Sequence, residues 1–310
     1  MILGSGVLHF LPGWLAIMGY LAAWVLARWA LAQPVNAKAT LQAHDPTPDQ
    51  AAGRRRAGLR WSSLAAGAAW ALHGGAIVGD LLTPPPHFGF APALSVTAWL
   101  VMGIYALENW LDARFPFMEA LHRGLSLPVA ACLGLTLAFP GENLPHVHSA
   151  WLPLHWGLGI ASYGLLALAV AHAALLGSAD RRLRTPNALS AQRAAEGANE
   201  SVWGGGLPVM TLERLTFRFV WGGFVVLTLA LVLGMLATLG SERGWRWDHK
   251  TVFSLFAWGV LAVLVGGRSL MGWRGKLARA WLYSAAALLL LAYVGSRFVV
   301  EAVLQRGSPA

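Results

Sequence analysis

The chain has 310 residues, 56% of them hydrophobic and 12% charged, with a formal net charge of +9. Soluble domains carry about 25% charged residues, and runs of about 20 apolar residues recur along the whole chain, so a membrane-spanning fold is expected in place of a soluble one. The basic residues lie between the apolar runs and not on one polar domain, a pattern of membrane topology and anionic-lipid attraction that speaks against a nucleic-acid partner.

Eight apolar stretches predict transmembrane helices, at 7–31, 62–82, 92–111, 124–139, 153–177, 216–239, 251–267 and 280–301. The fourth is short, and Pro12 is expected to break the first one early. The first run lacks a basic n-region and is too long and tryptophan-rich for a cleaved signal peptide. Glycine and alanine within the spans suit close helix approach in lipid. The polar stretches 32–60 and 178–215 read as loop or short interfacial helix, with no separate folded domain, so 1–310 is expected to form a single transmembrane domain. Cys132 is the only cysteine. It lies in an apolar run, where packing is its expected role.

Lys and Arg alternate along the connections. The loops 32–60, 112–123, 178–215 and 268–279 hold 16, whereas the intervening loops and the C-terminal tail hold 4. The positive-inside rule puts the rich loops in the cytoplasm and both termini on the outer, periplasmic side of a bacterial inner membrane. An even number of spans independently requires the termini to share a side. The fold class is therefore all-α, a polytopic membrane helix bundle.

With that orientation seven of the ten histidines fall in the outer half: His9, His73, His87, His146, His148, His155 and His249. His73 lies mid-span and His155 just inside the outer end of the fifth span. Intramembrane ionisable groups are costly, and each is a functional candidate. Neutral imidazole is the commonest protein ligand of haem iron, and two histidines on facing helices can clamp one between them. Gly74 and Gly75 beside His73, and Gly157 and Gly159 beside His155, would leave room for a flat macrocycle. Arg243, Arg246 and Arg297 are candidates to pair with its propionates. A hydrogen bond to a neighbouring carbonyl would equally explain either histidine. His172 is expected to pack, His146 and His148 to be solvated, and most tryptophans to form the interfacial belt.

Three segments carry a family resemblance. TrpArgTrpAspHisLysThrValPheSerLeuPheAlaTrp (245–258), continuing through GlyTrpArgGly (272–275) to LeuAlaTyrValGlySerArg (291–297), resembles the tryptophan-rich region of the cytochrome c assembly family. HisTrpGlyLeuGlyIleAlaSerTyrGly (155–164) resembles that family's histidine-led helix, and 207–218 the stretch that follows it. The members are CcsA/CcmC-like membrane haem-handling proteins, and the chain is most similar to their smaller eight-helix, YpjD- and HemX-like branch. It keeps only Trp245, Trp247 and Asp248 of the longer tryptophan motif, and has Arg268 where some relatives carry a histidine.

The resemblance implies haem b as cofactor. His73 and His155 would be axial ligands to its iron, with His249, Trp245, Trp247 and Asp248 further cofactor-binding candidates, and the outer segment 245–250 from Trp245 to Lys250 would form a lip over it. It implies cytochrome c biogenesis as the process, with haem, the bilayer and other cytochrome assembly proteins as partners. No bond-making residue is implied. Two other functions fit the same ligands or fold. One is a b-type haem carrier oxidising or reducing quinol, which would add a quinone pocket or second redox centre. The other is a haem-free scaffold or regulatory protein.

Overall fold

The apolar stretches are realised as helices. The computed structural model describes residues 3–33, 48–82, 87–111, 117–143, 151–183, 209–239 and 247–295. The helices are α1 (Leu3–Ala32), α2 (Pro48–Leu82), α3 (Phe90–Leu111), α4 (Phe117–Ala138), α5 (Trp151–Leu183), α6 (Val209–Leu239), α7 (His249–Met271) and α8 (Gly275–Leu290). A π turn, Leu291–Gly295, continues α8. Among the described residues the one departure from an all-helical fold is an antiparallel pair, β1 (His87–Phe88) with β2 (Glu142–Asn143), His87 standing opposite Asn143.

Each expected span falls on one helix, although 296–301 lies outside the described residues. Among the described residues, six segments are long and apolar enough to cross a membrane: Leu11–Ala32, Ala52–Leu82, Phe90–Leu107, Leu154–Gly177, Leu212–Thr238 and His249–Met271. Helix ends overrun the hydropathy boundaries. α2 starts at Pro48, inside the stretch read as loop or short interfacial helix, because its Ala- and Arg-rich turns are good helix formers that need no lipid. Pro12 does not break α1 but lies inside it. Proline is tolerated in lipid-embedded helices, where local adjustment and neighbouring groups re-satisfy the backbone.

The chain divides into two compact units. The first holds α1, α2, the end of α3 and nearly all of α4; the second holds the start of α3, the β pair, most of α5, and α6 to α8.

In the first unit α1 and α2 pack along seams of small residues. Ala16, Tyr20, Ala23, Ala27 and Ala30 are buried on α1, and Ser62, Ala66, Ala69 and His73 on α2. The alternating spacing of three and four keeps each set on one helix face. The approach is close: a Cβ on Gly19 would stand 2.9 Å from that of Ala69, and one on Gly58 2.8 Å from that of Ala30. Ser62 Oγ donates across the seam to the Ala23 carbonyl at 2.7 Å. Large apolar side chains such as Leu15, Met18, Val25 and Leu64 face outward. That suits a lipid surround, where close backbone packing holds helices together.

The second unit has a core of Leu166, Ala169 and Ala173 on α5, Val220 and Leu227 on α6, Ala257, Leu261, Leu264 and Val265 on α7, and Ala278, Leu282, Ala285 and Leu289 on α8. Gly223 lets α6 meet Leu166, whose Cγ would lie 2.9 Å from an added Cβ. Phe224 stacks on Trp258, with centroids 5.9 Å apart. The Trp258 indole N–H donates to Thr228 Oγ1 at 2.9 Å, and that hydroxyl donates to the Phe224 carbonyl at 2.7 Å. Buried polar groups are thereby satisfied in chains.

GlyTrpArgGly (272–275) is the turn between α7 and α8. Gly272 ends α7 in the left-handed region at φ 67°, and the Trp273 N–H donates to the Gly267 carbonyl at 3.1 Å. Trp273 lies against Gly267, where a Cβ would come within 2.5 Å of the indole. Nearby, Arg268 pairs with the buried Glu213 at 2.5 Å and donates to the Trp273 carbonyl at 3.1 Å. Its guanidinium sits 4.3 Å from the Phe217 ring centroid. Arg274 adds a second, longer contact to Glu213 at 3.6 Å.

Candidate functional site

The second unit holds a partly open cavity of about 300 Å³, at the lower end of the usual range for small-molecule sites. Its walls come from the start of α3, from α5 and α6, from the first turns of α7, and from the end of α8 with its π turn. Turns of this type recur at functional sites. The walls are mainly aliphatic, and the polar side chains among them are Thr97, His155, Ser162, Tyr163, Lys250 and Ser254. Three of the hydroxyls are spent on the protein's own backbone. Thr97 donates to Ala93 at 2.8 Å, Ser162 to Gly159 at 2.7 Å and Tyr163 to Leu289 at 2.6 Å.

His155 is held by α6. Its Nδ1 lies 2.8 Å from the Ala230 carbonyl oxygen. A carbonyl only accepts, so Nδ1 carries a proton, and in the neutral imidazole Nε2 is the nitrogen with the lone pair. Metal-ligating histidines are set up in this way, with one nitrogen anchored to a carbonyl and the other left basic. Gly234, one turn beyond Ala230, makes the approach possible, since a Cβ there would stand 2.8 Å from His155 Cε1 and 3.1 Å from Nδ1. Gly159 also lines the cavity, with open space where a Cβ would point.

His73 belongs to the first unit. It is fully buried, and its Nδ1 lies 3.3 Å from the Tyr20 hydroxyl, the two rings meeting edge-on at 5.9 Å. The two histidines expected to clamp one iron thus each have a hydrogen-bond partner of their own. His172 packs as expected, with Nδ1 2.8 Å from the Leu168 carbonyl and its ring 5.1 Å from that of Phe219.

The tryptophan-rich segment divides by residue. Trp245 lies outside the described residues, as do Arg243, Arg246, Arg297, His146 and His148. Trp247 is 72% exposed, and His249 is exposed at the first position of α7. Asp248 is the helix N-cap: its Oδ1 accepts from both the N–H and the hydroxyl of Thr251 at 2.8 Å. Partial burial opposes its ionisation, but the Thr251 hydrogen bonds and the charges of Lys250 and His249 outweigh that, and its pKa is lowered. Lys250 is the residue of this segment that reaches the cavity.

Asp248→Ala is expected to cost about 1 kcal/mol of stability at neutral pH. A carboxyl with a depressed folded pKa stabilises fully above its unfolded value of about 4, and loses that contribution as pH falls through the folded value. The difference between wild type and variant in thermal unfolding should therefore shrink below pH 4.

Gly234 and Tyr163 had no place among the expected site residues. Nothing local marks Gly234, because its meaning depends on a histidine 79 positions earlier. Lys250 was expected only as the end of the Trp245–Lys250 lip and as loop charge. Among the described residues no three His, Cys, Asp or Glu side chains form a metal-binding group.

Comparison with known proteins gives the family. Residues 88–304 match the family described as Cytochrome C assembly protein. That stretch includes the whole cavity lining and the segment from Trp245 to Lys250, and leaves out His73. The inner membrane protein YpjD of Escherichia coli K12 is 31% identical over 187 residues, covering 58% of this chain and 65% of YpjD, just under two thirds of that relative's length. The cytochrome c biogenesis protein CcsA of Cyanophora paradoxa is 20% identical over 266 residues, 69% of this chain and 83% of CcsA. A 28.8 kDa protein of Azospirillum brasilense, encoded beside a nifR3-like region, is 27% identical over 256 residues, 80% of this chain and 88% of its own. No solved structure matches. With more than half of its length matched, this multi-pass membrane chain belongs to the cytochrome c assembly protein family.

Proposed function

We propose that the chain binds haem b in the bacterial inner membrane as a haem-handling component of cytochrome c assembly, crossing the membrane eight times with both termini outside. The observation that carries this is His155. It lines an aliphatic cavity, and its bond to the Ala230 carbonyl fixes the tautomer whose other nitrogen is a ligand. A haem brings four equatorial nitrogens of its own, so one or two imidazoles suffice and no cluster of protein ligands is needed. The chemistry the group supplies is its iron and its ring, the cargo of cytochrome assembly. What the chain contributes is positioning. Ala230 and Gly234 set the imidazole, the space at Gly159 admits a flat body, and the aliphatic walls offer an apolar surface to it. The names of the YpjD and CcsA relatives agree with an inner-membrane place and a role in cytochrome c biogenesis. Other assembly proteins are the proposed partners.

Purified protein from haem-replete cells should show a Soret band, and His155→Ala should lose it or reduce it more than tenfold. An identical band in wild type and variant would remove His155 from the site. His73→Ala is the companion variant. A change from six- to five-coordinate iron would identify His73 as the second axial ligand, and an unchanged spectrum would assign it to its bond with Tyr20.

A further inference from the structure

The wall that α8 supplies to the cavity is one helix thick. Leu289 and Ala292 are buried and line the cavity, together with Val294. Leu290 and Leu291, between them, are 47% and 49% exposed. The register of this wall is set by the π turn Leu291–Gly295. In a regular α-helix five residues advance about 500°, so Val294 would stand about 140° round the axis from Leu289. The i→i+5 bonds of a π turn bring residues five apart back toward one side. Leu289 and Val294 share the cavity face because the helix changes register between them.

That change is met from the facing helix. The Tyr163 hydroxyl on α5 donates to the Leu289 carbonyl at 2.6 Å. In an unbroken α-helix that carbonyl accepts from the N–H of residue 293, which lies inside the π turn. The tyrosine gives the carbonyl a partner that does not depend on the ladder beyond it. Thr97 and Ser162 bond within their own helices. Tyr163 is the one of the three that reaches across to another.

We infer that Tyr163 controls access to the cavity: its hydroxyl latches the π turn, and the turn is the part of the wall that yields when a ligand enters or leaves. Passage between the π and α registers moves Val294 into and out of the wall without unfolding α8. Entry is then lateral, past the exposed side of the helix at Leu290 and Leu291, and suits a ligand with an apolar body. The inference takes haem as that ligand from the proposal above.

The test uses the purified full-length protein in detergent micelles, with two readouts. One is the pair of rates at which ferric haem b binds the haem-free protein and is lost to an excess of apo-globin, followed by the Soret band. The other, which needs no haem, is backbone hydrogen exchange read by mass spectrometry. Tyr163→Phe is expected to speed both haem rates roughly fivefold, the factor one hydrogen bond is worth. Affinity should stay within about twofold of wild type and the Soret position unchanged, because His155 is untouched. Exchange in 291–295 should quicken, and exchange around Ala230 should not. Deletion of Leu291 is the opposite variant. It shortens the step from Leu289 to Val294 from five residues to four, so an ordinary α-helix keeps both on one face, and both haem rates should fall. Wild-type rates in Tyr163→Phe, weaker affinity without faster entry, exchange that quickens equally along α6, or faster rates in the deletion variant each overturn the latch. A wild type that takes up no haem overturns the haem proposal alone, and exchange in 291–295 then decides the latch by itself.

Discussion

Gly234→Val should abolish the haem spectrum as completely as His155→Ala, although it removes no ligand. A Cβ at position 234 would stand 2.8 Å from His155 Cε1 and 3.1 Å from Nδ1, closer than real Cβ contacts allow. The imidazole cannot keep its bond to Ala230 and also accommodate a branched side chain. Either α6 moves away from α5, against the packing of Gly223 on Leu166, or the ring swings out and loses the carbonyl that fixes its tautomer. Overpacking of this kind costs roughly 1–3 kcal/mol, and the lost hydrogen bond adds about 1 kcal/mol. The measurement is a haem titration beside a thermal unfolding curve. A variant that binds haem like wild type would show that the Ala230 bond does not position the ligand.

Arg268→Ala should be the most destabilising of the charge changes. It strips the closest partner from Glu213, whose side chain is only 11% exposed, and leaves it the more distant Arg274. Breaking a buried pair by removing one side costs about 3–5 kcal/mol. Arg274 and the partial exposure of Arg268 reduce the expectation here to about 2–3 kcal/mol. Loss of the bond to the Trp273 carbonyl would loosen the α7–α8 turn as well. Replacing both partners, as Arg268→Leu with Glu213→Leu, should recover most of the loss, because no charge is then stranded. The check is a double-mutant cycle of unfolding in detergent micelles. A double variant as unstable as Arg268→Ala would mean that the guanidinium works through Phe217 and Trp273 and not through Glu213.

The helices themselves were legible because lipid imposes a length and a composition that leave long apolar runs. Their ends were less so. Hydropathy stops where charge begins, at about residue 62 for α2, whereas helix propensity carries the backbone back to Pro48. His155 was legible as an expensive group near a membrane boundary. Its partners were not, since Ala230 and Gly234 are ordinary residues of an apolar run and acquire meaning only when α6 lies beside α5. Asp248 shows a different kind of miss. An Asp followed three residues later by Thr, at the start of an apolar run, is a helix-start signal. The family likeness of TrpArgTrpAsp drew attention to the ligand instead, and the side chain is occupied by its own helix. Lys250, two positions on, was legible as the end of that segment and as a topological charge, but not as part of the cavity wall, because the wall is a property of the fold.

The seam between α1 and α2 bears on how the protein is made. Every contact described for it, from Gly19 on Ala69 to Gly58 on Ala30 and Tyr20 on His73, lies within the first 82 residues. Chains emerge from the ribosome N-terminus first, and early units pack before later ones exist. This hairpin can therefore close in the bilayer before the cavity lining from His155 onward has been translated. The half that holds the cavity would then be inserted after a helical pair that is already zipped, not after two loose spans still competing for partners.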